Sequence, residues 1–265
     1  MENQAPTIIT LTTDFGYKDP FIAEMKGVIL SINPNASIVD ITHDIEPFNI
    51  ADAAFVIGSS YRYFPSRTIH VVVVDPGVGS ERRPLIIESS DHMFVGPDNG
   101  VFSSILQEAR SAECVEILNA DYMIREKSPT FQGRDVFSSV AAWLSRGVGL
   151  SEVGPRLVAP ITIRMPGSQM SERGLTGEVL YIDRFGNVIT NITDKDLALI
   201  GNDYLMEIKG HSVSPVAYYA QAPAGALNCL VISSGYLEIF SYRDSASRLF
   251  EIGKSDLIVV SKRKE

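Results

Sequence analysis

Several features that would identify a function cheaply are scarce in this chain. There are two cysteines, Cys114 and Cys229, in 265 residues. That rules out a disulfide framework and a cysteine-built metal or redox motif, and makes a reducing, cytoplasmic setting the expectation. Basic residues are in deficit, with 23 Lys and Arg against 32 Asp and Glu and a net charge of −9. A nucleic-acid binder normally carries the opposite surplus. No apolar run approaches the ~20 residues needed to span a bilayer. Met1–Pro6 is polar, with no signal-peptide pattern. The four histidines show no metal-ligand spacing, so no metal is expected. Internal repeats and low-complexity tracts are also missing.

What is present is ordinary globular material: 45% hydrophobic and 21% charged residues, enough for one large domain or two modest ones. Up to about Arg164, strand-like and helix-like runs alternate. Thr7–Thr13, Ser37–Ile41, Val71–Val74, Leu85–Ser89 and His92–Gly96 read as strands. Asp19-Pro20 reads as a cap and first residue of a helix through Ile32. Asn49 caps a helix from Ile50 to about Tyr63, and Gly100–Ala109 and Asp135–Arg146 look helical. Such alternation predicts a mostly parallel sheet with covered faces. Pro155–Arg173 changes regime, with three prolines, Gly167 and a polar run. Beyond it the segments Thr176–Ile182, Val188–Ile192, Tyr204–Ile208, Leu227–Ser233, Leu237–Ser241 and Asp256–Ser261 are short and separated by turn residues. The fold expected is α/β: an N-terminal domain over 1–166, a linker over 167–173, and a smaller antiparallel β-barrel-like domain over 174–265.

The densest signal is His70-Val-Val-Val-Val-Asp75-Pro-Gly-Val-Gly79. A continuous apolar strand of this kind is buried on both faces. It delivers Asp75 to its carboxyl end, where open α/β sheets bind ligands. Gly77 and Gly79 let backbone N–H groups approach a ligand. Arg82, seven residues on, can fold back to keep the carboxylate ionised.

Other residues are ambiguous taken singly. Asp14 ends the first strand and suits either a ribose diol or a turn cap. His43, His70 and His92 read as structural. Gly96–Gly100 reads as turn chemistry. Pro129–Asp135 precedes a helix, and Gly133 with the N–H groups after it forms either an anion or nucleophile cradle or a simple cap. Tyr181–Asn187 and Ser233–Glu238 read as hairpin turns. Their polar groups and aromatics, Tyr236 among them, could also bind a base edge and its ring.

In order, the chain carries Thr12-Thr-Asp-Phe-Gly16 with Met25-Lys-Gly-Val-Ile29, Asp75-Pro-Gly-Val-Gly79, Gly96-Pro-Asp-Asn-Gly100, Thr130-Phe-Gln-Gly-Arg-Asp135, Ile182-Asp-Arg-Phe-Gly-Asn187 and Ser233-Ser-Gly-Tyr-Leu-Glu238. This order resembles the S-adenosylmethionine hydrolase family (hydroxide adenosyltransferases), relatives of the fluorinase and chlorinase, from about Ile8 to Val260. The resemblance implies attack of water or hydroxide on ribose C5′ of S-adenosylmethionine, releasing adenosine and L-methionine without metal or cofactor. It also implies a homotrimer with active sites at subunit interfaces.

By the same resemblance Asp14 accepts the ribose diol and Phe48 walls the site. Asp183 and Ser233 hold methionine, Phe185 stacks on adenine, Asn187 binds ribose or adenosine, and Glu238 holds the adenine edge. Gly133 and Tyr236 complete the substrate-binding set. Asp75 and Arg82 match two members of an Asp-Arg-His set that orients water. The third is replaced: Gln132 stands where the family has His. An amide cannot take a proton near neutral pH as an imidazole can, although it can hold a water. A natural variant, an engineered substitution and a drifted function all stay open, and so does a binding protein for adenosine or S-adenosylmethionine. Halogenation is disfavoured, because Asp75 and Arg82 are residues the halogenases lack, and a carboxylate beside the nucleophile repels halide.

Overall fold

The computed structural model describes residues 7–171, 174–201 and 204–262. It divides between Met165 and Pro166 into two compact units. Residues 172–173 of the expected linker lie outside the described residues.

The first unit is an α/β layer structure. Its strands are β1 (Ile8–Thr13), β2 (Ser37–Thr42), β3 (Ile69–Val73), β4 (Pro84–Ser89), β5 (His92–Pro97) and β6 (Glu113–Glu116), in sheet order β2-β1-β3-β5-β4-β6. β2, β1, β3 and β5 run parallel, while β4 is antiparallel to both β5 and β6. The sheet is therefore mostly parallel, with an antiparallel edge added through the β4–β5 hairpin. Every residue of β3 is buried, as its unbroken apolar run requires.

Helices α1 (Phe21–Ile32), α2 (Ile50–Ser60), α3 (Ser103–Glu108), α4 (Ser139–Ser145) and α5 (Leu150–Val153) complete the unit. One apolar cluster joins α1 and α4 to the sheet through Met25, Ile29, Phe137, Val140 and Ala141. A second gathers α2 and α3 through Ala53, Ile57, Phe102 and Ile105. The sheet is thus covered on both faces. Asn49 caps α2 by accepting from Asp52 N at 3.0 Å. Asp19 does not cap α1: Pro20 occupies the cap position and no side chain bonds the helix end. The helix expected from Asp135 begins as a single wide π-type turn, Gly133–Ser138, before α4.

The second unit is a closed β structure. Its strands are β7 (Gln169–Ser171), β8 (Gly174–Ile182), β9 (Val188–Thr193), β10 (Tyr204–Ile208), β11 (His211–Pro215), β12 (Asn228–Val231), β13 (Tyr236–Phe240) and β14 (Leu257–Lys262). The order β14-β10-β11-β12-β13-β9-β8 closes through a β8–β14 pairing into seven strands, with β7 added on β8. β11 and β12 pair parallel and the other pairs are antiparallel. Leu175, Val188, Met206, Ile208, Cys229, Ile239 and Ile258 fill the interior. Two short helices, α6 (Asp194–Ile200) and α7 (Ala246–Leu249), flank it. Thr193 and Asp196 form a reciprocal cap at the start of α6.

A histidine pair lies inside the first sheet. His70 is fully buried, with Nδ1 2.7 Å from Thr10 Oγ1 and Nε2 3.2 Å from His92 Nδ1. Burial, reinforced by His92, pushes the His70 imidazole down to about 3. Its folded value is thus below its unfolded one. The stability its neutral form supplies is present above pH ~6.5 and is lost as pH falls towards 3. We expect unfolding free energy to fall between pH 6.5 and 4, with a shallower slope in His70→Asn. Urea melts at several pH values check this, and equal slopes would remove His70 as the cause.

Candidate active site

The connection leaving β1 runs through α1 to β2 on one side, while β3 leads to its neighbours on the other. The carboxyl ends of β1 and β3 therefore flank the point where strand order reverses, the favoured ligand crevice of an open α/β sheet. Asp14 and Asp75 sit at those two ends. The negative charge of Asp14 is close enough to act on the Asp75 carboxyl.

Asp14 Oδ2 accepts from the Phe48 N–H at 2.9 Å. Phe48 has φ 68° and is 70% exposed. A left-handed backbone costs a non-glycine residue about 1–2 kcal/mol. The turn is held by Asn49 N–H on Glu46 O at 3.0 Å and Asn49 Nδ2 on Glu46 Oε2 at 2.9 Å. The Phe48 backbone is thus held against the carboxylate, with its side chain exposed.

Asp75 is built into a ladder. Arg82 Nε donates to Asp75 Oδ1 at 3.1 Å, and Arg82 Nη2 donates to Asp75 Oδ2. This is the two-point guanidinium–carboxylate arrangement. Arg82 Nη2 also donates to Gln132 Oε1 at 2.6 Å, and the guanidinium lies 5.3 Å from the Phe137 ring centre. The side chains of Arg82 and Asp75 are only 7% and 5% exposed. Burial raises the Asp75 carboxyl above its ordinary value; Arg82 and the Gly77 N–H oppose that rise, and Asp14 adds to it. Because Arg82 has only donors, the oxygen of the Gln132 amide must face it. The Gln132 NH2 group is left as a donor.

Close backbone approaches hold the ladder. A Cβ on Gly79, whose φ is +79°, would lie 2.7 Å from Pro129 O, so the Asp75–Gly79 loop seats directly on the next one. A Cβ on Gly133 would come within 3.3 Å of Val73 Cγ1. Asp135 Oδ2 accepts from Ser128 N at 2.6 Å, and Arg134 bridges to Glu24 at 2.7 Å. Asn99 Nδ2 donates to Val74 O at 2.9 Å, pinning the end of the β3 segment. The Gly96–Gly100 turn therefore supports the site from behind. A cavity of about 260 Å³ is lined by Arg82 and Gln132 together with Met123, Lys127 and Val136, room for several waters.

In the second unit, Asp183 Oδ1 accepts from Phe185 N and Asn187 N at 2.9 and 2.8 Å, and Oδ2 accepts from Asn187 Nδ2 at 3.1 Å. Asp183 thus shapes the β8–β9 turn and orients Asn187. Phe185 at its tip is 76% exposed. A cavity of about 860 Å³ is lined by Asp183, Phe185, Asn187, Tyr219, Phe240 and Arg243. Glu238 is buried and accepts from Tyr219 OH at 2.8 Å. Burial raises the Glu238 carboxyl, and burial with Glu238 and Asp183 pushes the Tyr219 phenol up to about 12. Tyr219 has no motif around it and was not singled out by sequence.

Asp14, Phe48, Asp75, Arg82, Gln132 and Gly133 therefore gather in the first unit, and Asp183, Phe185, Asn187 and Glu238 in the second. Ser233 and Tyr236 are placed differently. Tyr236 pairs with Thr193, and the turn at Gly235 accepts from Asp194 N at 3.0 Å. That turn lies beyond one end of β9, while Asp183–Asn187 lies beyond the other.

Comparison with known proteins follows this geometry. Residues 9–154 match the N-terminal domain of SAM hydroxide adenosyltransferase, and residues 177–259 match its C-terminal domain. A protein of Methanocaldococcus jannaschii named (R)-S-adenosyl-L-methionine hydrolase is 36% identical, with 98% of each chain covered. A Salinispora arenicola protein of the same name is 32% identical over 96% of this chain and 97% of its own. A fluorinase of Nocardia brasiliensis is 27% identical over 74% of this chain and 75% of its own. The crystal structure of an uncharacterized conserved protein from Thermotoga maritima superimposes with a TM-score of 0.91 at 34% identity, covering 96% of this chain and all of that one. With both domains matched in order and relatives aligned along nearly the whole chain, the protein belongs to the SAM hydroxide adenosyltransferase family.

Proposed function

We propose that this chain hydrolyses S-adenosyl-L-methionine to adenosine and L-methionine by attack of water at ribose C5′. The relatives' names specify the (R) epimer at sulfur, and we extend that preference to this chain. The observation that carries the reading is the Asp75–Arg82–Gln132 ladder at the strand-order reversal, beside Asp14.

Asp14 accepts the ribose hydroxyls, and Phe48 walls the sugar. Water is held by the Asp75 carboxylate and the Gln132 NH2 group. As its oxygen bonds C5′, the C5′–S bond breaks and its electron pair stays on sulfur, which leaves as a neutral thioether. The proton released from the water goes to Asp75. Burial raises the proton affinity of that carboxylate, and Arg82 keeps it oriented. Positive charge on sulfur is lost as the bond forms, so a dry, positioned site favours reaction. No metal or cofactor enters this scheme. In the second unit, Phe185 offers an exposed ring face for adenine, Asn187 would bind adenosine, and the cavity of about 860 Å³ is large enough to admit a nucleoside. A homotrimer, as the family resemblance implies, completes the proposal.

A second reading, a binding protein without turnover, draws on one observation: Gln132 presents only donors where an imidazole could take a proton.

Incubation with mixed sulfonium epimers, followed by chiral chromatography, tests the first reading. We expect adenosine and methionine with loss of the (R) epimer. Gln132→His should change kcat less than about tenfold, well under the ~10²–10⁴ of a general base. Adenosine from Gln132→His alone would favour the binding reading. Asp14→Ala should raise KM about 10- to 100-fold, as loss of a charged hydrogen-bond acceptor does. An unchanged KM would remove Asp14 from the ribose site.

A further inference from the structure

We propose that His43 is a positioning residue for ribose recognition, setting where Asp14 presents its carboxylate. This rests on the reading of Asp14 given above. His43 is buried, and its segment is tied to the chain on both sides of Asp14. Its Nδ1 lies 2.8 Å from Thr13 Oγ1, immediately before Asp14. Its carbonyl accepts from Gly16 N at 2.8 Å, and Ile45 N reaches Thr13 O at 3.4 Å. The same Thr13 Oγ1 accepts from Phe15 N at 3.2 Å, immediately after Asp14. The segment that starts at His43 then leads to Phe48, whose N–H bonds Asp14. A displacement of His43 therefore moves both the carboxylate and the aromatic wall.

The far side of the ring is anchored by charge. His43 Nε2 lies 3.2 Å from Asp40 Oδ1, a charge contact outside hydrogen-bond geometry, and both atoms are buried without a hydrogen-bond partner. Asp40 Oδ2 accepts from Lys26 Nζ at 2.6 Å and from Tyr17 OH at 3.3 Å. The Tyr17 ring meets the imidazole edge-on at 5.1 Å. Burial works to raise the Asp40 carboxyl, but Lys26 and His43 outweigh it and hold it below its usual value. An ionised Asp40 only accepts, so the His43 proton belongs on Nε2. Nδ1 is then the acceptor of the Thr13 hydroxyl proton. Burial and Lys26 push the imidazole below its ordinary value against the pull of Asp40 and Asp44, which keeps this neutral arrangement in place at pH 7. A polar strut thus runs from Lys26 on α1, through Asp40 at β2, to the end of β1.

A general fold-stabilising role would weaken every ligand alike. A positioning role weakens the ribose contact selectively. The test is calorimetric binding of adenosine and 2′-deoxyadenosine to the full chain, with melting temperature followed in parallel. The wild type should prefer adenosine about tenfold or more, the effect of one charge-assisted hydrogen bond. His43→Leu should bind adenosine about tenfold more weakly and lose most of that preference. His43→Gln, whose amide can both accept and donate, should restore it. Thr13→Val, nearly isosteric, should act like His43→Leu and serves if that variant does not fold. Preference retained in His43→Leu or Thr13→Val overturns the proposal while leaving the proposed reaction intact. A wild type that binds adenosine without preferring it overturns the role of Asp14 and this proposal together, as does one that binds neither nucleoside.

Discussion

The site depends on one guanidinium. Arg82 donates to both oxygens of Asp75 and to the amide oxygen of Gln132, almost out of contact with solvent. Without it Asp75 would be a buried carboxylate beside Asp14, two like charges with no compensation, and it would take up a proton. With it, Asp75 stays available as an acceptor, and Gln132 has a single orientation. The glycine-mediated seating of the Asp75–Gly79 loop on Pro129, and of Gly133 on Val73, keeps the three groups within reach of one another.

An amide at position 132, where the family resemblance implies an imidazole, fits this geometry. The group at that position faces Arg82 with an oxygen, and a glutamine supplies one. What it gives up is the capacity to hold a proton. In the proposed reaction that is tolerable, since the leaving group is neutral and needs no acid, and the one proton released has a carboxylate within the same ladder. Asp75 and Gln132 divide two tasks in the proposed reaction: a base that accepts, and a donor that fixes the water.

Much of this was legible in the sequence, for local reasons. A continuous apolar strand must be buried on both faces, so the parallel sheet and the delivery of Asp75 to its carboxyl end follow from His70–Asp75. The cap at Asn49 also follows from neighbouring residues. Other features depend on contacts between distant segments. Arg82 and Gln132 are fifty residues apart and are grouped by the family resemblance, not by local sequence, while His43 is thirty from Thr13 and nothing in the sequence joins them. Tyr219 matters only through Glu238 across the sheet. β11 buries little beyond Val213 and is a strand because its neighbours offer it an edge. The wide turn at Gly133 packs close to Val73 of β3, a contact that no periodicity records. The distance between the Ser233 turn and the Asp183 turn is a matter of strand register, which motif order does not carry.

The central claim is that a water held at Asp75 becomes the 5′ hydroxyl of the product. Turnover in H2¹⁸O, with mass spectrometry of both products, tests it most directly. The account predicts one ¹⁸O in adenosine and none in methionine, and no labelled adenosine from Asp75→Asn although that variant still binds adenosine. Unlabelled adenosine, or Asp75→Asn forming labelled adenosine at the wild-type rate, would contradict it.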